Sequence, residues 1–221
     1  MPLFADIEPA NFERLLRGGY VQNFPPRVKL LEEGDPADFL HILVSGSVEL
    51  SAAWNRRESA LAIVEPVSAF ILAATIRDAP YLMSAETLEK SLVVLLPSED
   101  VREAFEADNS FARAVVSELA NAYRGIVKTT KDLKLRTGTE RLANFFLRLH
   151  AAQEAPETFE LGMEKRRLAS LLGMTPENLS RAIRSLKPYG VTVDNTSVRI
   201  DNLDELRRFA KPTPLIDDVD R

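Results

Sequence analysis

Residues 164–187 read EKRRLASLLGMTPENLSRAIRSLK, and their spacing is that of two helices joined by a tight turn. Ala169 sits where two crossing helices must nearly touch. Gly173 supplies a turn residue that tolerates positive φ, and Leu179, six residues further on, buries the second helix. Leu168, Leu172 and Ile183 complete the apolar side. Thr175 can cap the second helix, and Pro176 then takes the first helical position, where a missing N–H costs nothing. Glu177, Asn178, Ser180, Arg181 and Arg184 remain on exposed faces, the layout of a DNA-reading helix-turn-helix.

Charge supports that reading locally. The whole chain carries a net charge of -5, but residues 161–190 hold six cations (Lys165, Arg166, Arg167, Arg181, Arg184, Lys187) against Glu164 and Glu177, a local +4, leaving -9 elsewhere. Phosphate attraction depends on where charge sits, so a basic module on an acidic body suits a protein that binds DNA at one face. A solvated helix face would explain the charge but not the Ala, Gly and cap spacing.

Composition bounds the rest. The 221 residues suffice for one or two domains with a proper core. Zero cysteines exclude disulfides, cysteine nucleophiles and a cysteine-ligated iron–sulfur cluster, and two histidines, His41 and His150, are too few for a multi-histidine metal site. No apolar run approaches the roughly 18 residues of a membrane helix, and the first residues lack a signal-peptide layout, so a soluble cytoplasmic protein is expected.

Working outward, residues 6–16 read as a short helix, and residues 21–50 alternate short apolar stretches with turns at Gly34-Asp35 and Ser45-Gly46. Further strands are expected at 59–64, 83–87 and 91–96, which together suggest a small antiparallel barrel or jelly roll. Residues 98–135 contain no proline and carry Phe111, Val115, Leu119, Ala122, Ile126, Thr129 and Leu133 at spacings of four or three, along one helix face as in a coiled-coil seam. A helix of about 28 residues is roughly 42 Å long, more than a small barrel covers, so part of it should meet a second subunit. Thr137-Gly138-Thr139-Glu140 reads as a capping box that restarts a helix, placing a hinge near 136–138. Leu142, Phe145, Phe146 and Leu149 bury the next helix, and a loop at 151–158 and a short strand at 159–161 follow. Beyond the helix-turn-helix, residues 191–193 and 198–200 flank a turn and read as a hairpin wing, residues 204–209 as a closing helix, and the tail from Lys211 as disordered.

The run GDPADFLHILVSGSV at 34–48 resembles the early turns of the cyclic-nucleotide-binding barrel of the Crp/Fnr family of bacterial transcription regulators. The resemblance covers about residues 5–210 in the family's order. It implies an α+β chain: a cyclic-nucleotide-binding-like antiparallel β jelly roll with its N-terminal helix at 1–97, a long dimerisation helix at 98–136, a winged helix-turn-helix at 137–210, and a tail at 211–221. It also implies a homodimer, double-stranded DNA and RNA polymerase as partners.

In nucleotide-binding relatives a Gly-Glu pair holds the ribose and an Arg-Ser pair the phosphate. Here Leu72 and Ala73 fall at the first pair and Met83 at the arginine, so all three functions are missing and a cyclic nucleotide is not the expected effector. Leu72, Ala73, Leu82, Met83 and Tyr123 are candidates to line an apolar effector pocket instead. Residues 78–86, DAPYLMSAE, are similar to those of relatives linked to nitric oxide or denitrification, which makes haem a candidate cofactor. His41, His150, Met83, Tyr81 or Tyr123 could supply an axial ligand, although His41 in a strand and His150 at a helix end both suit structural roles.

Glu177, Ser180 and Arg181 form E-x-x-S-R, which resembles the recognition helix of the Fnr-like branch. Arg181 would pair with guanine, Glu177 accept from a cytosine amine and Ser180 approach a thymine, implying a TTGA-like inverted repeat. Pro176 stands where the cyclic-nucleotide-responsive branch has an arginine. Lys165, Arg166, Arg167, Thr175, Asn178 and Arg184 are the candidate phosphate contacts. A cupin-type metal enzyme is the competing class, but Glu32, Glu33 and Asp35 without imidazole partners make a poor metal set. A nucleotide-dependent module for another protein would leave the DNA-reading half unexplained.

Overall fold

The computed structural model describes residues 1–55, 57–154 and 157–218, and the chain divides into two compact units, the first Met1–Tyr123 and the second from Arg124 on. In the first, helix α1 (Pro9–Gly18) precedes strands β1 (Tyr20–Phe24), β2 (Lys29–Leu31), β3 (Phe39–Ser45), β4 (Val48–Trp54), β5 (Arg57–Val64), β6 (Ser68–Phe70), β7 (Ser84–Thr87) and β8 (Ser91–Pro97), with helix α2 (Leu72–Arg77) between β6 and β7. The strands form two antiparallel sheets, ordered β1-β8-β3-β6 and β2-β7-β4-β5, the jelly roll expected.

Strands β3 and β8 are near-continuous apolar runs because both their faces are covered. Alternate residues Leu40, Ile42 and Leu96 pack with Leu15, Leu72, Val101 and Phe111 from the helices. Their neighbours Leu43 and Val93 pack with Val48, Phe70 and Ala85, residues drawn from both sheets. Gly46 closes the β3–β4 turn at φ +90°, where a Cβ would stand 2.3 Å from Ser91 Oγ, so the position excludes any side chain.

The single helix expected over residues 98–135 is broken. Helix α3 (Ser98–Ala107) ends and α4 (Asn109–Leu135) begins at Asp108. The carboxylate of Asp108 accepts the backbone N–H groups of Ser110 (2.9 Å) and Phe111 (3.0 Å), capping α4, and those of Glu8 (2.7 Å) and the Asn11 side chain (3.2 Å), anchoring α1. These bonds, led by the one from Glu8, hold its carboxyl below the usual range.

The expected seam on α4 also changes. Phe111 and Val115 are buried in the core of their own unit and Leu119 packs on that core, whereas Ala122, Ile126, Thr129 and Leu133 are exposed. A second stripe, Val116, Ala120, Tyr123 and Val127, is exposed throughout, with Val116 at 59% and Tyr123 at 68%. The same helical period thus marks a core face in one half of the helix and an open face in the other. The two compact units divide inside α4, between Tyr123 and Arg124.

The second unit contains the end of α4, helices α5 (Gly138–Ala152), α6 (Lys165–Leu171), α7 (Pro176–Ser185), α8 (Leu203–Ala210) and α9 (Pro214–Asp217), and strands β9 (Thr158–Glu160), β10 (Val191–Asp194) and β11 (Ser197–Ile200) in the order β10-β11-β9. Thr137 and Glu140 form the capping box: Thr137 Oγ1 accepts from Glu140 N (3.3 Å), and Glu140 Oε2 accepts from Thr137 N (2.8 Å). Leu142, Phe146, Leu168, Ala169, Leu172, Leu179, Val198 and Leu206 share one core.

The loop expected at 151–158 starts later, because α5 runs through Ala152, and residues 155 and 156 lie outside the described residues. The tail expected to be disordered instead carries α9, since Asp217 meets Arg136 and Arg148, while residues 219–221 lie outside the described ones.

Candidate nucleic-acid interface

Helix α7 is held by its two ends and one face. Thr175 Oγ1 accepts from Asn178 N at 3.2 Å, capping the start beside Pro176. Gly173 takes φ +62° in the turn, a conformation that favours glycine, and a Cβ there would lie 2.9 Å from Leu133 Cδ2, the movable tip of an exposed side chain. Leu179 and Ala182 bury the inner face and thereby fix the helix rotation. Glu177, Ser180, Arg181 and Arg184 lie on the exposed side, at i, i+3, i+4 and i+7, one continuous surface strip.

The strip is internally bonded. Arg181 Nη2 donates to Asn178 Oδ1 at 2.8 Å, and Ser180 Oγ donates to the Pro176 carbonyl at 2.9 Å. Hydrogen bonds from its own N–H and from the Thr175 hydroxyl, with Arg181 adding charge, hold the Glu177 carboxyl below its usual range, so it is an anion at neutral pH. The two ends of the strip are held separately, Glu177 on the first turn and Arg181 on Asn178. Thr175 and Asn178, counted as phosphate contacts from the sequence, are engaged in the helix's own bonding.

Lys165 and Arg166 are exposed on α6 and Arg167 is half-buried; Arg184 is exposed with its Nε on the Ser180 carbonyl at 3.4 Å. A groove of about 370 Å³ beside α7 is lined by Thr139, Arg141, Met174, Asn178, Arg181 and Ser185 among others. Thr139, Arg141 and Ser185 were not legible as site residues, because only folding brings the start of α5 beside α7.

The candidate effector residues are not gathered in the same way. Leu72 is in the core, Leu82 (80%) and Tyr123 are exposed, Ala73 is exposed, and Met83 is half-buried. Leu72 stands at the start of α2, just after Ile71 at φ +65°. None of Leu72, Ala73 and Met83 offers a carboxylate or guanidinium, while nearby Arg102 is paired with Asp78 (3.1 Å) and the Thr75 carbonyl (3.2 Å). These residues do not fit a cyclic phosphate.

Nor do they fit haem. His41 is 4% exposed between the rings of Phe70 and Tyr81, its Nδ1–H donating to the Phe39 carbonyl at 3.1 Å. Burial lowers its pKa to about 4, so the ring is neutral. The Tyr81 hydroxyl donates to the same carbonyl at 3.2 Å. His150 packs edge-on to Phe159 at 5.8 Å, in the other unit. Among the described residues no group of three or more His, Cys, Asp or Glu side chains could hold a metal ion, and no helix is long and apolar enough to cross a membrane.

A β jelly roll followed by a helical connector and an exposed reading helix on a winged scaffold is the architecture of a DNA-binding regulator. Residues 140–209 match the Crp-like helix-turn-helix domain and residues 21–108 the cyclic nucleotide-binding domain. The CRP-like cAMP-activated global transcriptional regulator of Mycobacterium tuberculosis is 25% identical over 217 residues, covering 95% of this chain and 96% of that protein. FixK2 from Bradyrhizobium japonicum (21% identity, TM-score 0.74, 88% and 98% of the two chains) shares the fold. So does the c-di-GMP responsive global regulator CLP from Xanthomonas campestris (20%, 0.73, 87% and 99%). The chain belongs to the Crp/Fnr family of transcription regulators and is a Crp-like DNA-binding protein, not an enzyme.

Proposed function

We propose that the protein is a homodimeric regulator that reads a TTGA-like inverted repeat through Glu177, Ser180 and Arg181, under an effector other than a cyclic nucleotide. The observation that carries the reading is the exposed strip on α7, where Arg181 is held by Asn178 at 2.8 Å and Glu177 is kept ionised. A preordered guanidinium loses less freedom when it forms paired bonds to guanine, and an anion accepts from the cytosine amine. Lys165, Arg166, Arg167 and Arg184 supply phosphate attraction. Dimerisation is typical of the family, and the exposed stripe Val116, Ala120, Tyr123 and Val127 offers an apolar face for a second copy.

The relative from Mycobacterium tuberculosis is named as cAMP-activated; Leu72, Ala73 and Met83 argue that this control does not carry over, because an anion without a paired cation is costly to bind in a protein interior. The test is a fluorescence-anisotropy titration with a TTGA inverted-repeat duplex and a scrambled one. The repeat should bind at least about 10³-fold more tightly, with no change on adding cAMP. Equal binding to both duplexes would remove the sequence-reading claim, and a cAMP response would remove the claim about the effector. Adding haem with and without nitric oxide to the same titration should likewise leave binding unchanged, and a response to either would contradict the misfit of His41, Tyr81 and His150 as haem ligands.

A further inference from the structure

The tail after α8 is bonded to the turn between α4 and α5. The carboxylate of Asp217 accepts from Arg136 through both oxygens, at 2.8 and 2.6 Å, from Arg148 at 3.0 Å, and from Thr213 N at 2.7 Å. The Asp217 and Arg136 side chains are only 10% and 8% exposed. Arg136 also pairs with Asp132 one turn back on α4, at 2.8 Å. The α9 region adds carbonyls to α4: Lys131 Nζ donates to Leu215 O at 3.4 Å and Lys128 Nζ to Asp218 O. One carboxylate thus joins Arg136, the residue following α4, to Arg148 in the C-terminal half of α5. A short tail segment held by a buried, bidentate charge pair is not what disorder or solubility requires.

The same turn reaches the reading head. Arg141 Nη1 donates to the Arg136 carbonyl at 2.8 Å, and its Nε to the carbonyl of Leu172, the residue just after α6, at 3.0 Å. The next residue, Gly173, is the one whose absent Cβ leaves room for Leu133 of α4. A continuous chain therefore runs from Asp217 through Arg136 and Arg141 to the turn that launches α7.

We propose that Asp217 is a positioning residue for DNA reading: by clamping Arg136 it fixes the α4–α5 turn, and hence the place at which α7 is presented relative to the end of α4. The proposal rests on the homodimer reading above, because a fixed α4–α7 geometry sets the separation of two half-sites only when two copies share α4. Asp217 touches no base or phosphate in this scheme, so its effect falls on half-site spacing rather than on base preference.

The test compares wild type, Asp217→Asn and Asp217→Glu. Asparagine keeps the shape and the bond from Thr213 N, and Asp132 still neutralises Arg136, so the fold is retained. Each protein is titrated on a duplex that the wild type has selected from a randomised library, and on versions with the spacer changed by one or two base pairs. Hydrogen exchange is followed over residues 132–141. Asp217→Asn should speed that exchange, lower affinity for the selected spacing by about tenfold, as loss of a buried ion pair allows, and flatten the spacing profile; Asp217→Glu should recover part of both. Unchanged exchange, or a loss equal on every spacer and on random DNA, overturns the proposal. If wild type selects sites that are not inverted repeats, the homodimer reading fails and takes the spacing claim with it. If wild type selects sharp inverted repeats and Asp217→Asn keeps the same profile, only the positioning role fails.

Discussion

The two units place their charge in opposite ways. On α7, Glu177, Arg181 and Arg184 stand in solvent, each with a local hydrogen-bond partner. In the jelly roll, Leu72, Ala73 and Met83 carry no charge, and the buried titratable ring, His41, is neutral against Phe70 and Tyr81. One unit exposes charge that attracts a polyanion, and at Leu72, Ala73 and Met83 the other offers no charge to a cyclic phosphate. Fold and ligand are therefore separable: the barrel needs Leu43, Val48 and Val93 between its sheets, and none of these specifies an effector.

The largest test of that separation is in the cores. Leu179→Ala should cost about 2–5 kcal/mol in the reading unit, and Leu43→Ala a similar amount in the jelly roll. Exchange mass spectrometry should show each loss confined to its own unit, and a common collapse would break the comparison.

Acid should come next. The folded pKa of His41 is about 4 against the ordinary 6.5, so the unfolded chain takes up the proton first. The His41 contribution to stability is then complete above about pH 6.5, is lost as pH drops toward 4, and changes no further below; about 2.5 pK units correspond to about 3 kcal/mol. Urea unfolding of the jelly roll at pH 7 and pH 4 measures this, and His41→Leu should remove most of the slope. A slope that survives the substitution would assign the acid sensitivity to other groups.

The stripe on α4 sharpens the comparison further. Tyr123→Asp should weaken self-association by about 2 kcal/mol, roughly thirtyfold, in sedimentation equilibrium, without disturbing the jelly-roll core. Phe111→Ala should instead act as a core lesion, because Phe111 is buried in its own unit. The reverse outcome would restore the seam read from periodicity alone.

How legible this was depended on how local the cause is. The helix-turn-helix was readable because Ala169, Gly173, Thr175-Pro176 and Leu179 each carry a conformational or packing reason within a few residues. The capping box at Thr137 and Glu140 was readable for the same reason. Strands β3 and β8 showed as apolar runs, but the edge strand β1, with most of its residues exposed, and the three-residue β6 gave little pattern.

The break at Asp108 was hidden inside an unbroken helical period, since only its side-chain bonds reveal the cap. The stripe from Phe111 to Leu133 could not say which part is covered by its own unit. Asp217 was unreadable as a clamp because its partner Arg136 lies 81 positions away, and an acidic, proline-rich tail reads as solvent-seeking.

The most direct measurement is a double-mutant cycle between Arg181→Ala and replacement of the guanine base pair in each TTGA half-site, read as binding free energy at fixed salt. Arg181→Ala should cost about 1–3 kcal/mol on the cognate site and little on the altered one, so that discrimination at that base pair disappears. An equal loss on cognate, altered and random DNA would make Arg181 a phosphate contact rather than a base reader.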